Sequence, residues 1–462
     1  MDQRIKEWRR YVLVQPPIMI LIFAQALTSN ILTNLIVYRV CSITLSINNS
    51  ECLLLHENVS SAEALKIDAE VQPEASKILM VKTFMECIIP TFLSLFLGPW
   101  SDKHGRKSIL MLGYVGISLT YLIFSIITIW DISPWFLLVA YIPYSCFGGF
   151  CTVLLGTICY ITDISNEKDR ALQLAWMEAL IFLGVISGFL VGPIVFRAYG
   201  YTTVFGLATV GCILPGLYIC FFVPETISNN NVTTLNSLFD LNLVKELIIT
   251  CTKKRDGFNR YIVWCCIIVM NLLVIVFQGE TTIGYLFTSA RLGWDVDKYS
   301  IYVAIRLLLI TFGIMFGVNV LTTYAGLSEE TVAILSVFSF LSSSLVQSLT
   351  WKPWHMYISA GIGTFSGVAS PMLRAILSKS VPSKDTGKVF SLTVSIETLT
   401  PAAAAALYGM IYSYFMPPIY PLPVYLVSVA ICVITILFLI NIRIQNKTVN
   451  CAVYEPLTQD NE

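Results

Sequence analysis

Charge is scarce in this chain. Asp, Glu, Lys and Arg form 13 % of its 462 residues, and the two signs cancel to a net charge of zero. Soluble domains carry about 25 %. Without a basic face there is no electrostatic footprint for nucleic acid, so no nucleic-acid partner is expected. Histidine is scarcer still: His56, His104 and His355 are the three, and none lies in the middle of an apolar run. No G-x-x-x-x-G-K-[ST] loop is present, which leaves ATP-driven chemistry without support. No cofactor and no metal site are expected. The first apolar run lacks a small-residue cleavage site, so a removable signal peptide is not expected either.

What is abundant is uninterrupted apolar sequence. Apolar residues are 56 % of the chain and the mean hydropathy is +0.74. Ser108 to Trp130, Ile132 to Thr162, Ala198 to Pro224 and Leu307 to Ser328 contain no charge. Each is long enough to cross a bilayer, which takes about 20 residues. Thr398 to Ile442 is uncharged throughout, too long for one span, and Pro417, Pro418, Pro421 and Pro423 divide it. The pattern predicts an all-α membrane protein with twelve transmembrane helices at 14–39, 77–98, 108–130, 134–162, 171–197, 201–223, 261–288, 300–324, 329–350, 354–378, 388–414 and 420–442. Its partner throughout is the lipid bilayer.

Cationic residues set the orientation. With the N-terminus in the cytosol, inside segments hold 19 of the 29 Lys and Arg, so both termini are expected there. The stretch 41–76 is then an exterior loop. It carries sequons at Asn48 and Asn58, both on the side where glycosylation happens. Cys52 is the clearest exterior thiol and Cys41 lies at the membrane edge; a bridge between them fits, though no motif calls for one.

Residues 98 to 107 read Gly98-Pro99-Trp100-Ser101-Asp102-Lys103-His104-Gly105-Arg106-Lys107, which is G-x-x-x-D-[RK]-x-G-R-[RK]. The positive-inside rule explains the cations. It does not explain two Gly and an Asp at this spacing. The segment resembles the loop between the second and third helices of the major facilitator superfamily. That resemblance implies two six-helix halves, here 1–223 and 261–443, with a cytosolic linker at 224–260, a cytosolic tail at 444–462 and a solute site between the halves near mid-membrane. It also implies a cytoplasmic latch of Gly98, Asp102, Gly105 and Arg106, with Asp163 nearby. A faint repeat supports two halves: Lys168-Asp169 and Lys384-Asp385 follow the fourth and tenth spans, 216 residues apart. Ala325 to Glu330, after the eighth span, lacks the Asp, Gly and Arg set, so one latch only is expected.

The likeness narrows at Tyr160-Ile161-Thr162-Asp163-Ile164-Ser165, Met177-Glu178-Ala179, Leu373-Arg374-Ala375-Ile376-Leu377-Ser378-Lys379, the Gly200-Tyr201 turn and Pro224-Glu225-Thr226. Together these are similar to solute carrier family 46, whose members include the proton-coupled folate transporter and lysosomal and muropeptide-associated relatives.

Charges within spans carry the chemistry, since each costs about 2.5–3.5 kcal/mol even on the lenient insertion scale. Glu178 lies two turns into the fifth span among Trp176, Met177, Leu180 and Ile181. An apolar setting favours the neutral form of a carboxyl, the property a proton carrier needs. The resemblance likewise assigns a Glu at this place to proton coupling. The plainer alternative is a carboxylate bonded to a neighbouring helix. Arg374 keeps its proton and offers a fork of donors to a carboxylate, and the resemblance makes it a substrate or gating residue; the alternative is a helix-end cation snorkelling to the cytosol. Glu280, Arg306 and Glu397 make the same physical claim to substrate or gating roles, unless Arg306 merely pairs with one of the two Glu. Lys82 and Glu86, four apart, read as a helix-face pair.

Gly184, Gly188 and Gly192 give the fifth span a smooth face for close helix contact, and the glycines of the tenth span read as packing. The folate carrier uses His near and within its seventh span, where this chain has none. Tyr454-Glu455-Pro456-Leu457 fits Y-x-x-Φ, a sorting signal read by an adaptor. The expected function is proton-coupled symport of a small organic anion, folate-like first, by alternating access at the plasma membrane. The alternatives are transport of muropeptides or other peptide-like solutes, in the plasma or the lysosomal or endosomal membrane, and a non-transporting receptor on a transporter frame. A channel is the third class, and no enzyme is expected.

Overall fold

A computed structural model describes residues 13–48, 51–52, 62–167, 169–226, 245, 249, 260–294, 296–382, 385–415 and 419–454. Asn58, Lys168, Lys384, the Pro417-Pro418 break, most of the 224–260 linker and Glu455 to Leu457 of the tail signal lie outside them.

Every regular element among the described residues is helical. The helices are α1 Gln15–Arg39, α2 Ala62–His104, α3 Arg106–Ile127, α4 Tyr141–Cys146, α5 Gly149–Ile164, α6 Arg170–Phe222, α7 Arg260–Leu292, α8 Val296–Phe312, α9 Glu329–Ser348, α10 Pro353–Ile362, α11 Ala369–Lys379, α12 Thr386–Tyr414 and α13 Pro423–Tyr454. Proline opens α1 and α10, where the missing amide hydrogen costs nothing. Glu329 and Glu330 occupy the first turn of α9, where the helix dipole favours acid.

Ten runs among the described residues are long and apolar enough to cross a membrane. The difference from twelve has two local causes. The fifth and sixth spans form the single 53-residue run α6, broken at Gly200, whose φ of 76° and ψ of −175° suit glycine alone. The tenth span is split into α10, a 3-10 turn at Gly363–Val368, and α11. Pro371 has no amide hydrogen to return to Gly367, and the glycines before it tolerate the tightened turn. Large apolar side chains face outward, as lipid contact requires: Phe221 is 76 % exposed and Phe222 68 %.

Parts of the segment expected as an exterior loop at 41–76 are regular among the described residues. Val40–Thr44 is a π turn, α2 begins at Ala62, and Cys41 is disulfide-bonded to Cys52. In the tail, α13 continues to Tyr454.

The chain divides into two compact units. The first comprises Met1–Tyr160, Leu183–Val244 and Phe390–Ser395, and the second Ile161–Phe182, Lys245–Val389 and Ile396–Glu462. Relative to the halves 1–223 and 261–443, the second unit takes 161–182 and the first takes 390–395.

In the first unit, the glycine face of α6 meets α1 backbone. A Cβ on Gly188 would lie 2.6 Å from the Phe23 carbonyl, and one on Gly192 2.6 Å from that of Leu27. The disulfide sits in an apolar cluster with Ile36, Phe124 and Phe205. Buried Arg39 donates from Nη2 to the carbonyls of Ile127 at 3.2 Å and Trp130 at 2.8 Å, satisfying the open end of α3. Ser395 and Ser94 hydroxyls meet at 2.5 Å, and Ser391 donates to the Ser94 carbonyl. The second unit has a core of Ile283, Phe287, Trp294, Tyr302, Tyr408 and Tyr425.

Candidate functional site

Three intramembrane charges singled out above converge in the second unit. Ser370 and Arg374 stand four apart on α11 and so share a face. Arg374 donates from Nε to Glu178 Oε1 at 3.2 Å and from Nη2 to Glu397 Oε2 at 2.9 Å. Ser370 donates to the same Glu178 oxygen at 2.6 Å. The three charged side chains are 8 %, 12 % and 10 % exposed for Arg374, Glu178 and Glu397. Arg374 therefore does not snorkel to the cytosol. Its Nη1 is buried and has no hydrogen-bond partner among the described residues. With both carboxylates ionised, the cluster carries one net negative charge.

Beside it lies a cavity of about 200 Å³. Glu178, Arg374, Glu397, Ser370 and Ser366 supply its polar lining. Its walls are apolar: Phe182, Met270, Leu273, Val274, Phe277, Ile310 and Phe340. A few polar groups converging in an apolar recess is the usual make-up of a small-molecule site. Glu178 reaches it because α6 begins at Arg170, which places the carboxylate two turns in. Arg170 itself is held by a bond from Nη1 to the Ser378 hydroxyl at 2.9 Å.

Glu280 and Arg306 form a second buried pair in the same unit. Arg306 Nη2 donates to Glu280 Oε2 at 2.9 Å, and Ser344 donates to Oε1 at 2.5 Å. Arg306 takes Glu280 as its carboxylate and leaves Glu397 to Arg374.

The 98–107 segment is a tight corner between α2 and α3 in the first unit. Arg106 Nη2 meets Asp102 at 2.6 Å, with both side chains almost fully buried. Arg106 Nη1 also donates to Ser101, which in turn donates to the Gly98 carbonyl. Gly105 adopts φ 108° and supplies no side-chain cap to α3. Glu225 takes that place from across the fold, accepting the backbone N–H of Arg106 at 2.8 Å and of Lys107 at 3.2 Å. Pro224 is held in turn by the Tyr160 hydroxyl at 3.0 Å. Asp163 is exposed near the end of α5, and Asn48 is exposed in its loop. Lys82 and Glu86 pair along α2 at 3.0 Å.

Several of these roles escaped the sequence. Ser370 could have been found as the residue one turn before Arg374. Ser344, within Ser342 to Ser344, carried no distinguishing signal. A second charged tie was also unexpected: Lys379, ending α11, meets Glu329, opening α9, at 2.6 Å. The second unit thus has its own ion pair, built without the Asp, Gly and Arg set.

The sequence profile of the Major Facilitator Superfamily matches residues 82–405. A Drosophila melanogaster protein described as a probable peptidoglycan muropeptide transporter, SLC46, is 30 % identical over 414 residues, covering 87 % of this chain and 80 % of that one. The proton-coupled folate transporter of Rattus norvegicus is 24 % identical, covering 86 % and 85 %. The Gallus gallus lysosomal proton-coupled steroid conjugate and bile acid symporter SLC46A3 is 24 % identical, covering 88 % of each. Among solved structures, the human organic anion transporter MFSD10 superposes with a TM-score of 0.73 at 13 % identity, covering 94 % of this chain and 100 % of that one. FucP in its outward conformation gives a TM-score of 0.62 at 13 % identity, covering 94 % and 99 %.

Proposed function

This chain belongs to the major facilitator superfamily and, within it, to solute carrier family 46, and from that premise we propose that it is a proton-coupled symporter of a small organic anion. That it is a multi-pass membrane transporter, and not an enzyme, follows from the family. The finer reading rests on one observation: Arg374 bridges two carboxylates while its Nη1, beside a cavity, has no partner among the described residues.

The coupling follows from charge. An anion approaching the cluster in its ionised state meets a net negative site in a low-dielectric pocket, where repulsion is poorly screened. Glu178 Oε1 already accepts from Arg374 and Ser370, so Oε2 is the oxygen open to a proton. Protonation neutralises the site and loosens the hold of Glu178 on Arg374 Nε. Nη1, which has no partner among the described residues, can then donate a charge-assisted bond to a carboxylate or sulfate oxygen. Proton and anion are each bound best when the other is present, which is the condition for symport. Glu397 keeps Arg374 in place, and Glu280 with Arg306 serves as a second polar station.

A folate-like anion heads the solutes to be tested. A muropeptide or other peptide-like solute is the second reading, favoured by the higher identity of the Drosophila relative. The plasma membrane is the proposed location. The lysosomal membrane is the alternative, drawn from the name of the chicken relative and the Tyr454-to-Leu457 signal for a sorting adaptor. We keep the halves 1–223 and 261–443, the linker 224–260 and the tail 444–462 within this proposal. Asp102 and Arg106, with Gly98, Gly105 and Asp163, are its cytoplasmic latch, and Asn48 and Asn58 its glycosylation sites. A non-transporting receptor would bind ligand without flux in proteoliposomes, and a channel would never move solute uphill.

The test is uptake of labelled folates, muropeptides and dipeptides at acidic and neutral outside pH, in the unaltered protein and in Glu178→Gln. Acid-stimulated uptake that loses its pH dependence in the variant supports symport. A Glu178→Gln protein with an unchanged pH profile rejects it.

A further inference from the structure

The Glu280–Arg306–Ser344 cluster stands in register with the cavity. Phe277 lines the cavity, and Glu280 follows three residues later on α7. Ile310 lines it, and Arg306 precedes by four residues on α8. Phe340 lines it, and Ser344 follows by four on α9. Residues three or four apart on a helix lie one above the other on the same face. Successive spans run in opposite directions, so all three steps lead toward the same membrane face. The ion pair therefore forms a layer one helical turn beyond the apolar ring of Phe277, Ile310 and Phe340. The Arg306 guanidinium stands over the Phe277 ring, 6.0 Å from its centre.

The distance between the two charged layers can be read from the helices. Thr400 donates to Asn271 at 2.6 Å, which sets α12 against α7 at one level. Glu397 lies three residues before Thr400, and Glu280 nine residues after Asn271. At about 1.5 Å of rise per residue, the layers are roughly 18 Å apart along the helix axes. Both can hold an anion, yet they differ. The Arg374 layer has two carboxylates for one cation. The Arg306 layer is neutral, both oxygens of Glu280 are engaged, and Arg306 commits only Nη2 to a hydrogen bond among the described residues. The remaining nitrogens of that fork make no hydrogen bond to a described residue.

We propose that Arg306 is a second anion-binding subsite, so that the solute is an elongated organic dianion with acidic groups at both ends of an apolar body. One acid meets Arg374, the body crosses the Phe277, Ile310 and Phe340 ring, and the other acid meets Arg306. The cavity by itself, at about 200 Å³, is small against the roughly 300–1,000 Å³ that enclose a drug-sized ligand, so one end of such a solute extends past it. The inference rests on the transport reading above and narrows its substrate class.

The test uses linear α,ω-dicarboxylates of increasing length and the monomethyl ester of each. Uptake is measured in proteoliposomes of the full chain under an inward proton gradient, and thermal stabilisation of the purified protein by the same compounds is measured in parallel. The diacid is expected to have the lower KM at lengths that bridge the two layers, and shorter diacids no advantage. Because Arg306→Gln alone strands a buried Glu280, the variant is Glu280→Gln with Arg306→Gln, and Arg306→Lys is its companion. The double variant is expected to raise the diacid KM about tenfold or more, the scale of a lost charged hydrogen bond, and the monoester KM by a clearly smaller factor. Equal change for diacid and monoester, or no diacid preference in the unaltered protein, overturns the subsite. Preferential stabilisation by the diacid without flux would uphold the subsite and reject the transport reading.

Discussion

The carboxylate of Glu225 occupies the space where a side chain on Gly105 would begin: a Cβ there would lie 2.5 Å from its Oε2. The Gly of the 98–107 motif therefore has two reasons to be Gly. Its backbone takes φ 108°, and its empty side lets an acid from beyond the sixth span cap α3.

Gly105→Ala should consequently destabilise the protein by about 1–3 kcal/mol, the cost of holding a non-Gly residue in that conformation, with displacement of the cap added to it. Glu225→Gln, which keeps an acceptor oxygen, should be much milder. Thermal unfolding of the purified variants in detergent checks the order. Equal effects would remove the cap from the explanation.

Arg374→Lys retains the cation and loses the fork. It should hold Glu178 or Glu397 but not bridge both, and solute KM should rise about tenfold or more, as for a lost charged hydrogen bond. Arg374→Ala leaves two buried carboxylates unpaired, which costs about 3–5 kcal/mol. It should fail in expression before it fails in transport. Surface abundance and uptake kinetics, read together, distinguish the two.

Cys41 and Cys52 close a short loop, with a sequence separation of 11. Chain-entropy arguments for a loop of this size give about 2–3 kcal/mol. Cys52→Ser should lower the unfolding temperature, and a reducing agent should do the same to the unaltered protein while leaving Cys52→Ser unmoved.

Glu74, on α2 before the second span, accepts from Lys77 at 2.9 Å and from Trp135 Nε1 at 3.1 Å. These two bonds, the Lys77 one first, hold its carboxyl below the usual carboxylate range. A carboxyl with a folded pKa below its unfolded value contributes above the unfolded pKa and loses that contribution as pH falls through the folded one. The tie to Trp135 should thus persist through mild acid. The Trp135 side-chain N–H resonance should report a midpoint below that of an ordinary Glu, and Lys77→Met should raise it.

Much of the fold was legible because the bilayer is a strict solvent. A backbone in lipid must satisfy its own hydrogen bonds, so long uncharged runs can only be helices. Gly200 marked the break between the fifth and sixth spans for an equally local reason. Gly184, Gly188 and Gly192 announced a close contact, but only the fold showed that its partner is the α1 backbone. The Lys379–Glu329 pair was not legible because an ion pair between two helix ends needs no motif, only proximity.

The sequence by itself determined that Glu178, Arg374, Glu280, Arg306 and Glu397 lie inside spans, since counting residues from a helix end fixes depth. It could not determine partnership. Whether Arg306 would choose Glu280 or Glu397 depends on how helices rotate about their axes and pack against one another. Those angles are set by side-chain contacts between residues far apart in the chain, such as the one joining Thr400 to Asn271. Tertiary packing alone decided that Arg374 holds two carboxylates, that Ser370 and Ser344 complete the clusters, and that one apolar ring separates them.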